Sequence, residues 1–316
     1  MKDMFCFQCQ QTAHNTSCDG RAGVCGKKAD TANRQDELIG MLTAMAKAAE
    51  NGDRNKNTDL LMLKGLFTTI TNVNFNNETI TALTREIEAE KARLGGKEIA
   101  ALDMRDIWEA NEDIRSLKSL ILFGIKGMAA YAYHALALGM TDSEVNDFFY
   151  KALRAIADES DPQKLLALVL ETGKVNLKCM ALLDKANTSA YGEPVPTEVP
   201  LTIEKGPFIV VSGHDLHDMK LLLEQTEGKG INIYTHSEML PAHGYPELKK
   251  YPHLKGNFGT GWQNQQSEFP RADTFHYKLH HACSSELQRP RFHDFRCFIS
   301  RACAHRRRQG FYAGYR

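Results

Sequence analysis

Four of the chain's eight cysteines lie within its first 25 residues, and their spacing is the strongest chemical feature of the sequence. Cys6, Cys9, Cys18 and Cys25 form a C-x2-C-x8-C-x6-C pattern. Thiolates are soft ligands, and four of them on one short loop can surround a single cubane cluster. The pattern therefore predicts a [4Fe-4S] cluster. Structural zinc is the main alternative, because four thiols also satisfy a tetrahedral site.

Disulfide bonds are the other alternative for clustered cysteines, and they would require an oxidising compartment. The chain begins MKDMF, without the basic stretch and apolar run that mark a secretory signal. Its apolar runs are shorter than the roughly 18 residues that a membrane span needs. We therefore expect a cytoplasmic protein with reduced thiols and no membrane partner.

A second group of candidate ligands follows two predicted strands in the later part of the chain. Residues 208–211 and 230–234 are predicted strands, and residues 215–227 a helix between them. This order predicts a parallel sheet, whose ligands bind beyond the carboxyl ends of its strands. His214 and Glu238 follow those ends, and an imidazole and a carboxylate there could bind iron and leave positions open for a substrate.

The same residues also fit ordinary structural roles. His214 could cap the following helix or bond a backbone carbonyl, and Glu238 could be a solvated turn residue. We expect such structural roles for His217, His236 and His243.

Helical periodicity dominates the chain between the two groups of candidate ligands. Apolar side chains recur every three or four residues over residues 34–185, as expected of helices that bury one face. Later helices are predicted at residues 77–94, 113–138, 142–157 and 161–186. Short breaks separate them, which predicts a helical bundle.

Single residues refine this interpretation of the bundle. Thr58 is a suitable N-cap for its second helix, and Asp142 or Ser143 serves for a later one. The methionines of the apolar stripes and the cysteine on the last helix are expected in the core: Met41, Met45, Met62 and Cys179.

The predicted fold class is therefore multidomain α and α/β. An iron-sulfur loop (1–30) and a helical bundle (31–188) are followed by a proline-containing linker (189–206). The start of a Rossmann-like parallel α/β domain (207–270) comes next, and a basic tail (271–316) completes the chain.

Several stretches resemble the hybrid cluster protein (prismane) family, whose members act as hydroxylamine reductases. They are MFCFQCQQT (4–12), GVCGK (23–27), SGHDL (212–216), THSEMLP (235–241) and NFGTGWQNQ (257–265). The motifs occur in the family's order, and the resemblance covers about residues 4–270.

The resemblance implies specific cofactors and roles. Cys6, Cys9, Cys18 and Cys25 would hold an ordinary cubane that passes electrons inward. His214 and Glu238 would match the first two ligands of the hybrid iron-sulfur-oxygen cluster and belong to the catalytic site. The implied substrates are hydroxylamine, reduced to ammonia and water, or nitric oxide, and the implied partner is a redox electron donor. A nonenzymatic iron-sulfur electron-transfer or binding protein is the alternative function.

The tail departs from both the family pattern and the rest of the chain. Residues 1–270 contain 29 basic and 36 acidic residues, whereas residues 271–316 contain 10 basic and 3 acidic. The family expects a buried strand and a ligand cysteine after Pro270, and the residues there do not predict a strand. Codons can be chosen for this tail so that a frame one base later encodes such a strand and cysteine, which suggests a frameshift.

The hybrid cluster's remaining ligands, several cysteines and a glutamate, come from the later part of a longer chain in the family. This chain is therefore expected to bind the first cluster and to reduce little hydroxylamine. A competing interpretation makes Arg306, Arg307 and Arg308 a nucleic-acid arm, with Cys297, Cys303 and His305 as metal ligands. Since these cysteines lack paired spacing, we expect no nucleic-acid partner.

Overall fold

The structure, a computed structural model, describes residues 3–9, 12–71, 73–269 and 275–279. The chain separates into two compact units, of which the first runs to Asp184 and the second begins at Lys185. The first unit is helical and the second contains a parallel sheet. The predicted multidomain α and α/β class is therefore confirmed, whereas the predicted domain limits remain a prediction.

The first unit opens with a small antiparallel ribbon and continues as a helical bundle. Strand β1 (Met4–Cys6) pairs with strand β2 (Cys18–Gly20). The helices that follow are α1 (Ala29–Ala48), α2 (Lys56–Thr68), α3 (Asn77–Arg93), α4 (Arg105–Trp108), α5 (Glu112–Ala137), α6 (Ser143–Asp158) and α7 (Pro162–Tyr191).

The bundle is held together by a core that joins its helices. Met45 and Met62 are buried in this core, and Met41 packs against it. Cys179 is also buried there, so the predicted core positions are confirmed. Fully burying a side chain of this size stabilises the fold by about 1.5–3 kcal/mol.

Among the helices in the described part of the chain, α5 is the one long and apolar enough to span a membrane. Half of its most apolar stretch is buried inside the protein, where Ile121, Leu122 and Ile125 contact the bundle core. A central helix of a helical bundle has this composition because several neighbours cover it.

Helix α2 begins at a different cap from the predicted one. The Asn55 side chain accepts hydrogen bonds from the backbone N–H groups of Asn57 (2.8 Å) and Thr58 (3.1 Å). The Thr58 hydroxyl accepts in return from the Asn55 N–H (3.1 Å), which completes a capping box. Thr58 as N-cap was therefore wrong by three residues. Of the two N-cap residues predicted for α6, Asp142 or Ser143, the structure confirms Asp142.

The second unit is built on a four-stranded parallel sheet with the strand order β5-β4-β3-β6. Helix α8 connects β3 to β4, so the predicted βαβ unit is confirmed. The elements are β3 (Phe208–Gly213), α8 (Leu216–Thr226), β4 (Asn232–His236), a 3-10 segment (Ser237–Gly244), α9 (Pro246–Lys249), β5 (Leu254–Asn257), a 3-10 turn (Trp262–Asn264), α10 (Gln265–Glu268) and β6 (Phe275–Leu279).

Two boundaries in this unit differ from the predictions. Strand β4 starts at Asn232, two residues after the predicted start. Gly228 and Gly230 have φ of +70° and +69°, a turn conformation that strands do not adopt. Helix α7 passes residue 186 and runs to Tyr191, and Gly192 follows at φ +86°. The first residues of the predicted linker are thus helical.

Strand β6 contradicts the expectation that the residues after Pro270 form no strand. It pairs in parallel with β3, with Phe275 opposite Ile209. The sequence F-H-Y-K-L alternates apolar and polar residues, which is the strand pattern, and that alternation was overlooked. The other tail candidates lie outside the described residues: Cys283, Cys297, Cys303, His305, Arg306, Arg307 and Arg308.

Candidate iron-sulfur site

Two of the four amino-terminal cysteines are positioned by the antiparallel ribbon. Cys6 ends β1 and Cys18 begins β2, and the two residues are direct partners across the ribbon. Directly opposed residues of an antiparallel pair project to the same face, with Cβ atoms about 4.5–5.5 Å apart. The ribbon therefore brings together two side chains that are 12 positions apart in sequence.

The other two cysteines lie in turns fixed by backbone hydrogen bonds. The Cys9 carbonyl accepts from the Thr12 N–H (3.1 Å) and from the Thr12 hydroxyl (2.5 Å). Cys25 lies in a turn in which the Gly26 N–H donates to the Gly23 carbonyl (2.9 Å). Gly26 has φ +83°, a conformation that costs other residues about 1–2 kcal/mol.

All four cysteines line one cavity. It has about 310 Å³ of empty space, part of it open to solvent, and Gln8 and Lys27 also contribute to its wall. A Cβ atom on Gly23 would lie 3.7 Å from the Cys18 Sγ, an ordinary van der Waals distance, so the Gly23 backbone borders this sulfur. The predicted ligand set is thus gathered at one place, with its thiols unpaired by disulfides.

A buried polar layer lies next to this cavity. Lys27 is 2% exposed and its Nζ donates to the Gln35 Oε1 (2.6 Å). Lys126 is 6% exposed and donates to the Gln8 Oε1 (3.1 Å) and the Thr69 carbonyl (3.4 Å). Both ammonium groups therefore donate to neutral acceptors.

The charged groups of this layer affect the pKa of the Cys6 thiol. Burial raises the pKa of the Cys6 thiol, and the positive charges of Lys27 and Lys126 act in the opposite direction. Burial also raises the pKa of Asp36 to about 6 against the effect of the two lysines. It lowers the pKa of Lys126 to about 8, and the Asp36 carboxylate partly offsets that fall.

Sequence reasoning missed this polar layer. Lys27 belongs to the GVCGK motif but was not considered as a functional side chain. Lys126 interrupts the apolar face of α5, between the buried residues Ile125 and Met128. A charge within an otherwise apolar helical face was the available indication, because lysine is almost never fully buried without a partner.

The candidate ligands of the second unit follow adjacent strands at equivalent positions. Ser212 of β3 is the register partner of His236 of β4. His214 and Glu238 each come two residues later, and both side chains are exposed. The structure therefore places them on neighbouring loops beyond the carboxyl edge of the sheet, as expected, while their roles as iron ligands remain a prediction.

The structural alternative for His214 is corrected in one respect. Helix α8 is capped by Asp215, whose Oδ1 accepts from the N–H groups of His217 (2.9 Å) and Asp218 (3.1 Å). A capping role for His214 is therefore wrong, because Asp215 already holds that position.

Two of the three histidines that were predicted to have structural roles, His236 and His243, are bonded within the fold through their side chains. His236 is fully buried, with Nδ1 3.2 Å from the Ser212 hydroxyl and Nε2 3.0 Å from the Glu268 carboxylate. His243 is buried as well, and its Nε2 lies 3.0 Å from the Thr235 hydroxyl. Desolvation lowers the pKa of His243 and so favours its neutral form.

In the part of the chain that the structure describes, no group of three or more His, Cys, Asp or Glu side chains is arranged to hold a single metal ion. The four cysteines around the cavity supply the ligand number of a cubane, with one thiolate on each of four irons, and also that of a tetrahedral zinc ion.

Residues 4–274 match the Prismane/CO dehydrogenase family. The hydroxylamine reductase of Solidesulfovibrio magneticus is 49% identical over 295 residues, which covers 84% of this chain and 55% of that protein. Those of Desulfitobacterium hafniense strain Y51 and Caldanaerobacter subterraneus are 46% and 45% identical and cover 84% of this chain and 54% of the relative. The chain spans about half the length of the curated relatives it matches.

Among solved structures, carbon monoxide dehydrogenase IV from Carboxydothermus hydrogenoformans aligns with 84% of this chain and 44% of its own chain. The sequence identity is 16% and the TM-score 0.31.

Proposed function

Because this chain belongs to the Prismane/CO dehydrogenase family, we propose that it corresponds to the amino-terminal region of a hydroxylamine reductase and binds a [4Fe-4S] cluster. The resemblance found in the sequence motifs is confirmed by the family match. The proposed ligands are Cys6, Cys9, Cys18 and Cys25, and the proposed function of this region is electron transfer.

The observation that carries the proposal is the common cavity of the four cysteines. Their thiols are free of disulfides, and the ribbon and two turns hold them around one space. A cubane takes one thiolate on each of four irons, so these four thiols match its ligand set. Their spacing in sequence favours a cluster over zinc, because zinc sites more often use two short paired cysteine motifs.

When bound, such a cluster supplies one electron at a time to a partner site. The cysteine sulfurs hold it, and the apolar wall, including Met4, keeps part of the cavity away from water. Two electrons and two protons convert hydroxylamine to ammonia and water, and a redox protein would be the electron donor. Nitric oxide is a second proposed substrate of the complete enzyme.

His214 and Glu238 are proposed as the first two ligands of the hybrid iron-sulfur-oxygen cluster and as part of the catalytic site. One imidazole and one carboxylate can bind a single iron through nitrogen and oxygen. They cannot hold a cluster of four irons, and the resemblance places the further ligands in the later part of a longer chain. We therefore expect little hydroxylamine reduction by this chain alone.

A nonenzymatic iron-sulfur electron-transfer protein is the second candidate function. It is favoured by the difference between the two proposed sites. The amino-terminal site has four thiols, a full ligand set for a cubane, whereas the second site has two proposed ligands, His214 and Glu238. In this case the chain would exchange electrons with a partner without reducing hydroxylamine.

The test is anaerobic purification of the full chain followed by reconstitution with iron and sulfide. We expect about four irons and four acid-labile sulfides per chain and the electron paramagnetic resonance signal of a reduced cubane. Hydroxylamine consumption by the reconstituted chain separates the candidates. A colourless chain that takes up zinc and no sulfide would refute the cluster, and full reductase activity would refute the proposal of an incomplete second site.

The tail after Pro270 is proposed to arise from a shifted reading frame. Its charge and its excess of arginine differ from the preceding chain, and the family match ends at residue 274. Sequencing the gene across the Pro270 codon tests this directly. An intact frame, without an extra or missing base, would refute it.

A further inference from the structure

The buried layer beside the cysteine cavity contains more positive than negative charge. Lys27 and Lys126 are almost fully buried, and Asp36 is an acidic group whose pKa both lysines lower. Burying an ammonium group costs free energy unless an opposite charge compensates it. One carboxylate does not compensate two lysines, so this part of the protein is arranged to receive a further negative charge.

One of the two positive charges lies on the wall of the cavity, and the other is bonded to a residue of that wall. Lys27 is itself part of the lining, while Lys126 donates to Gln8, which is also part of it. Gln8 lies between the two proposed ligands Cys6 and Cys9 in sequence. The amide of Gln8 thus holds the Lys126 ammonium against the loop that carries these sulfurs.

We propose that Lys126, together with Lys27, raises the reduction potential of the cluster bound by the four cysteines, an inference that rests on the proposed function. A cubane with four thiolates is an anion, and reduction adds one more negative charge. Positive charge nearby in a medium of low dielectric constant stabilises the reduced form more than the oxidised form. Asp36 opposes this effect. Lys126 is a tuning residue in this role, since it bonds Gln8 and not a proposed ligand.

The experiment is a redox titration of the reconstituted full chain at pH 7, followed by electron paramagnetic resonance. Lys126→Gln should lower the midpoint potential, with at least a tenfold smaller equilibrium constant for reduction, which is about 59 mV for one electron. Asp36→Asn should shift the potential in the opposite direction. Lys126→Arg keeps the charge and should stay close to the wild-type value.

Lys118→Gln is the matched control, because Lys118 is also a buried lysine of α5 but its pKa reflects burial and Asp158, Glu159 and Asp106. We expect its potential to equal that of the wild type. Lys27→Gln provides a second test if Lys126→Gln does not hold a cluster, and it should also lower the potential.

The outcomes separate this inference from the proposed function. A wild-type chain that binds no cluster refutes the proposed function and the tuning role with it. A wild-type chain with a cluster whose potential is unchanged by the lysine substitutions refutes the tuning role alone. Shifts of the same sign for Lys126→Gln and Asp36→Asn would also refute it, because a general disturbance of the site would then explain them.

Discussion

Cys6 and Cys18 face each other across the antiparallel ribbon that opens the chain. This pairing makes the site partly preformed, because the strand hydrogen bonds fix two of the four thiols relative to each other before anything binds. The loops that carry Cys9 and Cys25 are closed by their own turns. Preorganised ligands bind with a smaller loss of conformational entropy, so we expect the proposed cluster to bind to these four cysteines alone.

Replacement of Cys18 tests the ligand set most directly. Cys18→Ser should remove most of the bound iron and acid-labile sulfide, because a serine hydroxyl is a harder and much less acidic ligand than a thiol. Cys179→Ser is the matched control, since the Cys179 Sγ donates to the Met128 carbonyl (3.4 Å) in the core of the bundle. Burial raises the pKa of Cys179 to about 12, so it has no tendency to act as a thiolate.

Iron and sulfide analysis of the two reconstituted variants decides this prediction. Cys179→Ser should keep the wild-type content of both. Equal retention of the cluster by Cys18→Ser would contradict the assignment of Cys18, whereas loss of the cluster from Cys179→Ser would show that iron content reports general stability.

Some parts of the fold followed from the sequence because the determining interactions are local. The spacing of apolar residues predicted α3, α5 and α6 to within one residue at every end. The βαβ order predicted the parallel pairing of β3 with β4 and therefore the common edge reached by His214 and Glu238. The cysteine spacing predicted one shared site.

Other features could not be predicted because they depend on contacts between distant residues. Lys126 meets Gln8 across 118 positions of sequence, and no local pattern indicates that contact. The bond between His236 and Glu268 depends on how α10 lies against the end of β4. The cap of α2 was misplaced since Asn55 and Thr58 are both good capping residues, and their reciprocal bonds decided between them.

Gly40 is a packing position that a single methyl group should disrupt. It lies in α1, and a Cβ atom there would overlap the backbone carbonyl oxygen of Leu102. Gly40→Ala should lower the free energy of unfolding by about 1–3 kcal/mol, because backbone atoms cannot move aside as side chains do. Urea unfolding followed by circular dichroism measures this change.

Gly127→Ala is the control for this substitution. Gly127 is an exposed position within α5, and a Cβ atom there would meet no other atom within 4 Å. Alanine in place of glycine should stabilise the helix by about 0.5–1 kcal/mol. A stabilising effect at both positions would show that α1 does not pack against the backbone at Leu102.

The first turn of α8 should depend on Asp215 and not on its neighbour His214. Asp215→Ala removes the acceptor for the His217 and Asp218 N–H groups, at a cost of about 1 kcal/mol. His214→Ala removes an exposed side chain and should change stability by less than about 0.5 kcal/mol. Hydrogen exchange of the two amides measures both changes, and faster exchange in His214→Ala alone would contradict the assigned cap.

The hydrogen-bonded Glu268 carboxylate should make the second unit sensitive to acid. The Glu268 carboxylate accepts from the Thr260 N–H (3.0 Å) and hydroxyl (2.6 Å) and lies 3.0 Å from the His236 Nε2. Burial alone would raise the pKa of Glu268, but these hydrogen bonds outweigh it and lower the pKa below the ordinary value. A lowered pKa means that the folded state favours the ionised carboxylate.

Glu268→Gln keeps the size of the side chain and removes its charge, so the variant should be less stable by about 1 kcal/mol at pH 7. The contribution of a carboxyl group with a lowered pKa is complete above its unfolded pKa of about 4.3 and is lost as the pH falls through the folded value. The difference between wild type and variant should therefore be constant above about pH 5 and shrink below about pH 4. Urea unfolding at a series of pH values measures it.

Glu247→Gln is the control for this pH dependence. The Glu247 carboxylate also has a lowered pKa, because the Lys250 ammonium donates to it (2.6 Å), but the pair is exposed to solvent. Exposed pairs contribute little to stability, so this variant should match the wild type at every pH. A difference for Glu268→Gln that stays the same from pH 7 to pH 3 would mean that the side chain acts through its packing and not through its charge.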